Sequence, residues 1–286
     1  MRLSLMILFL SVLFSLHAEQ LQVSASMYPV ALIVKDIGKD RVAVHTVVPP
    51  GVSPHSYVMK PSDARNLKKS AALFFIDNDF DQWINKGKLP ANLHRVSLMA
   101  SVPQTLLHRF PAKSKYPQKT DPHFWLDPQI VKIILPAVAQ ELCSVDSAGC
   151  ETYKANAEQL SIRLTETEKK MIVVLSGVKG KSFIAMHPSM LYMADRFGFH
   201  IVDVLEKNPG FEPGMKELGE LIVRASQKDI HAILSEPQFP KALAQKIARS
   251  SGKPLLIFDP IGNPATVRSF PDLLLMNAES IANGNG

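Results

Sequence analysis

Short apolar runs alternate along this chain with segments in which hydrophobic residues recur at helical intervals. The runs "AALFFI", "VAVHTVV", "SFIAM", "HAILS" and "PLLIF" read as buried strands. Two stretches share one order of features. Residues 24–49, "SASMYPVALIVKDIGKDRVAVHTVVP", and residues 183–205, "FIAMHPSMLYMADRFGFHIVDVL", each run strand, Pro-containing corner, amphipathic helix, glycine stop (Gly38, Gly198) and second strand. The likeness continues in "KKSAALFFIDN" and "QKDIHAILSEP", each a helix end leading into a strand. Strands alternating with helices predict parallel sheets built from βαβ units. Either an internal duplication or chance resemblance between two βα units accounts for the match.

Between the halves, Glu151 to Leu175 holds no Pro or Gly and spaces Leu160, Leu164, Met171 and Leu175 at helical intervals. At about 1.5 Å per residue this predicts a rod of nearly 40 Å. The expected architecture is α/β: a first lobe over residues 19–150, a linking helix over 151–175, and a second lobe over 176–286. A helical connector resists the wide hinge bending that flexible strands permit.

The first 18 residues have the layout of a cleaved secretory signal peptide. Arg2 supplies the charge, Leu3 to Leu16 the apolar stretch, and Ala18 the small residue before the cut. An uncleaved anchor is the alternative, but the apolar stretch is short of the roughly 20 residues a spanning helix needs. No Cys follows it, which argues against a lipid anchor. The expectation is an exported, periplasmic protein. In such a compartment Cys143 and Cys150, the only two cysteines, are expected to pair in a structural disulfide; free thiols or a metal site are the alternatives. The formal net charge of +6 is dispersed. Its densest patch, Lys113, Lys115 and Lys119, lacks the interleaved aromatics of a nucleic-acid surface and reads as solvated.

Nine histidines occur, and three stand apart by setting: His55 in "PPGVSPHSY", His123 in "DPHFWLDP" and His187 in "FIAMHPS". His55 follows the exit of a strand, and His187 ends one. His123 precedes a helix that Asp127 caps and Pro128 begins. Asp259, in "FDPIGN", also ends a strand. Ligands of open α/β sheets bind outside the carboxyl ends of strands. Two of these four residues come from each lobe, and a proline adjoins every one (Pro54, Pro122, Pro188, Pro260). Three imidazoles and a carboxylate form a complete set of donors for a divalent transition metal in the inter-lobe cleft. Asp121 and Asp127 are candidates for hydrogen bonds that fix an imidazole tautomer or cap a helix, and Trp125 and Phe124 pack the loop.

"PPGVSPHSYVMKPSD", "DPHFWLDP", "HPSMLYMADRFGF", "SEPQFP" and "FDPIG" together resemble, in order and spacing, the zinc/manganese substrate-binding proteins of ABC transporters, the ZnuA/TroA-like group. The resemblance covers essentially the whole chain after its leader. It implies two lobes joined by a rigid helix, one bound metal ion delivered to an inner-membrane ABC permease, and metal positions at His55, His123, His187 and Asp259. Zinc-specific members often carry a His- and acid-rich loop before the position of His123; here "SVPQTLLHRFPAKSKYPQKT" has one histidine, His108, and is basic. Manganese-selecting relatives usually place Glu where this chain has His187, which turns the expectation back to Zn²⁺, with Mn²⁺ or Fe²⁺ as alternatives.

A hydrolytic zinc site is the competing class, with Glu236 of "SEPQFP" as the best available general base. Four protein ligands would leave no position for water, and no HExxH occurs. An adhesin or structural metal protein is a third class. Capture and release by a monomer, without catalysis, is the expectation. Because imidazole binds metal only when neutral, affinity is expected to weaken as pH falls through about 6.

Overall fold

The computed structural model describes residues 20–110, 119–205 and 214–283. The expected signal peptide lies outside these residues, as do Lys113 and Lys115. The first half runs β1 (Leu21–Ala25), α1 (Tyr28–Gly38), β2 (Val42–Thr46), α2 (Pro61–Lys69), β3 (Ala72–Phe75), α3 (Trp83–Lys86), β4 (His94–Ser97) and α4 (Pro128–Val145). Then comes the long α5 (Cys150–Leu175). The second half runs β5 (Ser182–Ala185), α6 (Leu191–Phe197), β6 (His200–Val204), α7 (Met215–Ala225), β7 (Ile230–Ser235), α8 (Lys241–Ser251), β8 (Leu255–Ile257) and α9 (Phe270–Asn283).

Each half forms a four-stranded, wholly parallel sheet, ordered β2-β1-β3-β4 and β6-β5-β7-β8. The two orders are equivalent, as the likeness between the two halves predicts. Parallel strands need helical crossovers that cover both faces, so their side chains are buried on both sides. All of β3 is buried, as are Phe183, Ile184 and Ala185 of β5. In each sheet the strand order reverses between the first and third strands, and the loops leaving these carboxyl ends meet in the cleft.

The helix boundaries follow local chemistry. Asp127 sits in an extended conformation ahead of α4, and its Oδ1 accepts a hydrogen bond from the Gln129 backbone N–H at 2.8 Å, with Pro128 as first helical residue. Gly198 closes α6 in the left-handed region (φ 75°), as expected of a glycine stop. Gly38 works differently. It stays helical, and Lys39 takes the positive φ of 46°. A Cβ at position 38 would lie 2.5 Å from the Val42 side chain, so glycine is required there by close approach.

Along α5, Tyr153, Ala157, Leu160, Leu164, Met171 and Leu175 form one buried stripe. This stripe packs against α4, and Cys143 and Cys150 close the α4–α5 corner with a disulfide. The final helix departs from the expected division. Although it lies within the segment assigned to the second lobe, α9 packs on α5 and α1. Asp36 of α1 anchors it: Oδ2 accepts from the Phe270 backbone N–H at 3.0 Å, while Oδ1 receives Arg163 of α5 at 3.0 Å. The chain therefore ends in a helix shared by the two lobes, because Asn277 and Ser280 of α9 also bond to the backbone of Asp259 and Ile257 at the end of β8.

Candidate metal centre

Three loops converge in the cleft. The one after β2 is stiffened by Pro49, Pro50 and Pro54 and delivers His55 from a single 3-10 turn, Pro54–Ser56. His123 precedes a second such turn, Phe124–Leu126, that runs into α4. His187 leaves β5 in extended conformation (φ −143°, ψ 151°), with Pro188 starting the next turn. The ring centroids lie 5.7 Å (His55–His123), 4.9 Å (His55–His187) and 5.1 Å (His123–His187) apart. One nitrogen from each falls within 4.8 Å of the others. Nitrogens bound to one tetrahedral zinc at 2.0–2.1 Å sit about 3.4 Å apart, so rearrangement on the order of an ångström would complete the grip. A space of about 10 Å³ lies among these rings, Phe80, Trp125, Ser189 and Glu236. That is room for one water-sized occupant. A wider cleft of about 480 Å³ borders the same three histidines.

His123 is held most firmly. It is only 2% exposed, and Asp121 Oδ1 lies 2.7 Å from its Nδ1 while also accepting its backbone N–H at 3.0 Å. That occupies Nδ1 and leaves Nε2 for a ligand. Asp121 is itself fixed from the second lobe. Tyr192 of α6 donates its hydroxyl proton to the Asp121 carbonyl (2.9 Å) and accepts from the His108 N–H (3.0 Å), while the His108 ring stacks on it. Trp125 donates Nε1–H to the Pro260 carbonyl at 2.9 Å, another bond between lobes.

Burial sets the protonation. Desolvation holds His123 well below the ordinary imidazole range, and the neighbouring His187 adds to the effect. His55, partly exposed at the cleft, is likewise held well below it, first by desolvation and then by His187 and His123. Burial pushes the Asp121 carboxyl up to about 7, against the hydrogen bond from the His123 backbone. Two of the three rings are thus neutral well below pH 6.5 without any metal. The expected loss of affinity through about pH 6 moves lower as far as these two rings decide it.

Asp259 lies outside the three-histidine group. Its Oδ1 accepts from Gln238 Nε2 (2.7 Å) and from the backbone N–H of Ile261 (3.1 Å) and Gly262 (2.9 Å). Asp-Pro-x-Gly is a turn sequence whose carboxylate bonds to the backbone two or three residues on, and the aspartate is used in that way here. The carboxylate that does line the small space is Glu236, at the end of β7. Phe80, Ser189, Tyr192 and Arg196 complete the surroundings, and sequence reasoning did not single them out. The spacing of Tyr192 and Arg196, four apart on the helix after His187, is the signal that could have found those two. Of the other described histidines, His45 meets Asn66, His94 meets Glu141, His231 lies edge-on to Phe183, and His200 is exposed.

A family model described as zinc-uptake complex component A, periplasmic (ZnuA), matches residues 23–284. The high-affinity zinc uptake system protein ZnuA of Yersinia pestis is 21% identical over 264 residues, covering 84% of this chain and 83% of that protein. The zinc-binding protein AdcA of Streptococcus pyogenes is 23% identical over 85% of this chain, which spans only half (50%) of AdcA. A crystal structure of ZnuA superposes with a TM-score of 0.80 at 27% identity, covering 93% of this chain and 99% of that one. The substrate-binding protein FpvC of Pseudomonas aeruginosa in complex with Mn²⁺ shares the fold, with a TM-score of 0.80 at 20% identity over 94% and 100% of the two chains. By the span of that match and the two-lobed fold, this chain belongs to the ZnuA family of periplasmic zinc-uptake components.

Proposed function

We propose that this protein captures one divalent transition metal ion, Zn²⁺ foremost, in the periplasm and passes it to an ABC-type permease in the inner membrane. One observation carries the reading: three imidazoles from both lobes converge around a space sized for a single small occupant. His55, His123 and His187 are the proposed ligands. Asp259, as fourth ligand, would have to leave its turn contacts and approach as the lobes adjust; otherwise a water completes the tetrahedron. Export through a cleaved leader and action as a monomer complete the proposal. Among the described residues no helix is long and apolar enough to cross a membrane.

Nitrogen donors favour zinc over manganese, which prefers hard oxygen ligands. Mn²⁺ is the second reading, because FpvC carries it on the same fold. Catalysis is disfavoured by the setting of Glu236, whose Oε1 receives the Ser189 hydroxyl at 2.8 Å and faces His187, an arrangement suited to holding rather than to shuttling protons. Native mass spectrometry of the metal-free mature chain titrated with Zn²⁺ and Mn²⁺ tests the proposal, beside a hydrolase substrate screen. One tight zinc equivalent is expected, lost in His123→Ala and retained in His108→Ala. Equal effects of the two substitutions would reject the ligand set. Metal-dependent turnover abolished by Glu236→Ala would replace capture with catalysis.

A further inference from the structure

We infer that Glu236, held by Ser189, is the positioning residue of His187 and sets a carboxylate behind its ring that favours a dication among the three histidines. The inference rests on the ligand set proposed above.

Glu236 is 2% exposed and Ser189 is fully buried. A carboxylate this deep normally needs a cationic partner or several hydrogen bonds. Among the described residues, no Lys or Arg pairs with Glu236. Its neighbour is the His187 ring, whose Nδ1 lies 3.7 Å from Glu236 Oε1. Ser189 follows His187 by two residues and donates to that same oxygen at 2.8 Å, tying the carboxylate to the loop that carries the ligand. Phe239, in the turn after Glu236, also lies beside the His187 ring (centroids 5.5 Å, tilted 31°).

The first lobe contains the counterpart. Asp121 Oδ1 stands 2.7 Å from His123 Nδ1. Each lobe therefore presents one histidine backed by one buried carboxylate on its Nδ1 side. The pair in the second lobe is looser by about an ångström, a distance that metal loading can close by drawing in the ring and strengthening its N–H as a donor. An imidazole bound to a metal brings no negative charge of its own, so a dication in a low-dielectric cleft is costly without compensation. The Glu236 carboxylate behind His187 offsets part of it. Asp259 can then remain in its turn, where its Oδ1 already has three donors.

Glu236→Gln tests this in the mature chain. The amide keeps the shape and can still accept the Ser189 hydroxyl, but loses the charge. Zinc affinity, measured by competition with a chelator, is expected to fall about 10- to 100-fold, the usual cost of losing a partner behind a metal ligand. Ser189→Ala should give a smaller loss in the same direction. The d–d spectrum of the Co²⁺-loaded protein should be unchanged in Glu236→Gln, because Glu236 is not itself a ligand. An altered spectrum would make Glu236 a ligand and overturn the positioning role. Undiminished zinc affinity in both variants would overturn the inference entirely. His187→Ala serves as the control: if it binds zinc as tightly as the parent, the ligand set itself fails; if it loses zinc while Glu236→Gln does not, only the role of Glu236 fails. Thermal unfolding of the metal-free variants reads any loss of fold separately.

Discussion

His123 shows how much a single residue's surroundings change its chemistry. As an ordinary imidazole it would be mostly protonated at pH 6 and would have to shed a proton to bind metal. Enclosed by Asp121, Trp125 and Phe80, it is held neutral by desolvation, and His55 follows for the same reason. A histidine whose folded pKa is depressed carries fewer protons than in the unfolded chain, so between that low value and about 6.5 acidification costs folding stability without charging the ring. Ring-nitrogen NMR of the metal-free protein should therefore show His55 and His123 neutral throughout pH 7.5 to 6. A midpoint near 6.5 for either would mean that the cleft is solvated. That His55, His123 and His187 would gather was legible in the sequence, because each sits at a strand exit or helix entry beside a proline. Asp259 has the same setting, yet the structure ties it into a turn. Strand-end position says where a side chain starts, whereas the following Pro-Ile-Gly decides where its oxygen goes. Glu236 was named as a carboxylate of interest, but its relation to His187 depends on two neighbouring strands and could not be read from the sequence.

At the scale of elements, the α4–α5 pair was the most legible part of the fold. A helix without Gly or Pro and with a regular apolar stripe leaves few alternatives, and α5 begins at Cys150, one residue before the expected start. The disulfide joins the end of α4 to this first residue and closes a loop of seven residues' separation. For a loop this short the chain-entropy account gives about 2–3 kcal/mol of stabilisation. Replacing both cysteines by serine should shift the urea midpoint downward by a free energy of that size, with zinc affinity unchanged, because the corner is remote from the histidines. A double variant as stable as the parent would show that packing between α4 and α5 already fixes the corner. The crossing of α9 onto the first lobe was not legible. It depends on Asp36, which sits between Lys35 and Ile37 and reads as an exposed charge, but is 7% exposed and bonded to α9 and α5. Gly38 was expected to stop α1 by its conformational freedom; contact with Val42 explains it instead.

Across the whole molecule, the lobes are joined by more than the long helix. Asp127, which caps α4 in the first lobe, receives Arg196 of α6 in the second through three bonds of 2.8 to 3.0 Å. Tyr192, one turn earlier on α6, holds the Asp121 carbonyl, and Tyr28 of α1 donates to the Val267 carbonyl at 2.8 Å. The contacts of α6 sit on the loop that carries His123, so parting the lobes is expected to loosen that proposed ligand. Removing the guanidinium in Arg196→Ala leaves the Asp127 carboxylate largely enclosed, with the Gln129 N–H as its remaining donor. Breaking a fully buried pair costs about 3–5 kcal/mol, and the partial exposure of Arg196 brings the expected cost down to about 1–2 kcal/mol. If opening of the lobes precedes metal release, that free energy appears as roughly 5- to 30-fold faster loss of zinc to a chelator, since 1.4 kcal/mol is a factor of ten. Stopped-flow release from the zinc-loaded variant measures it, and thermal unfolding of the metal-free form gives the stability change alone. Faster release with the Co²⁺ spectrum intact is the expected result. A lower melting temperature with an unaltered release rate would show that the Arg196–Asp127 pair supports the fold but does not gate the ion. The permease would then have to act on other contacts between the lobes, with the Trp125–Pro260 bond beside the histidines the next to examine.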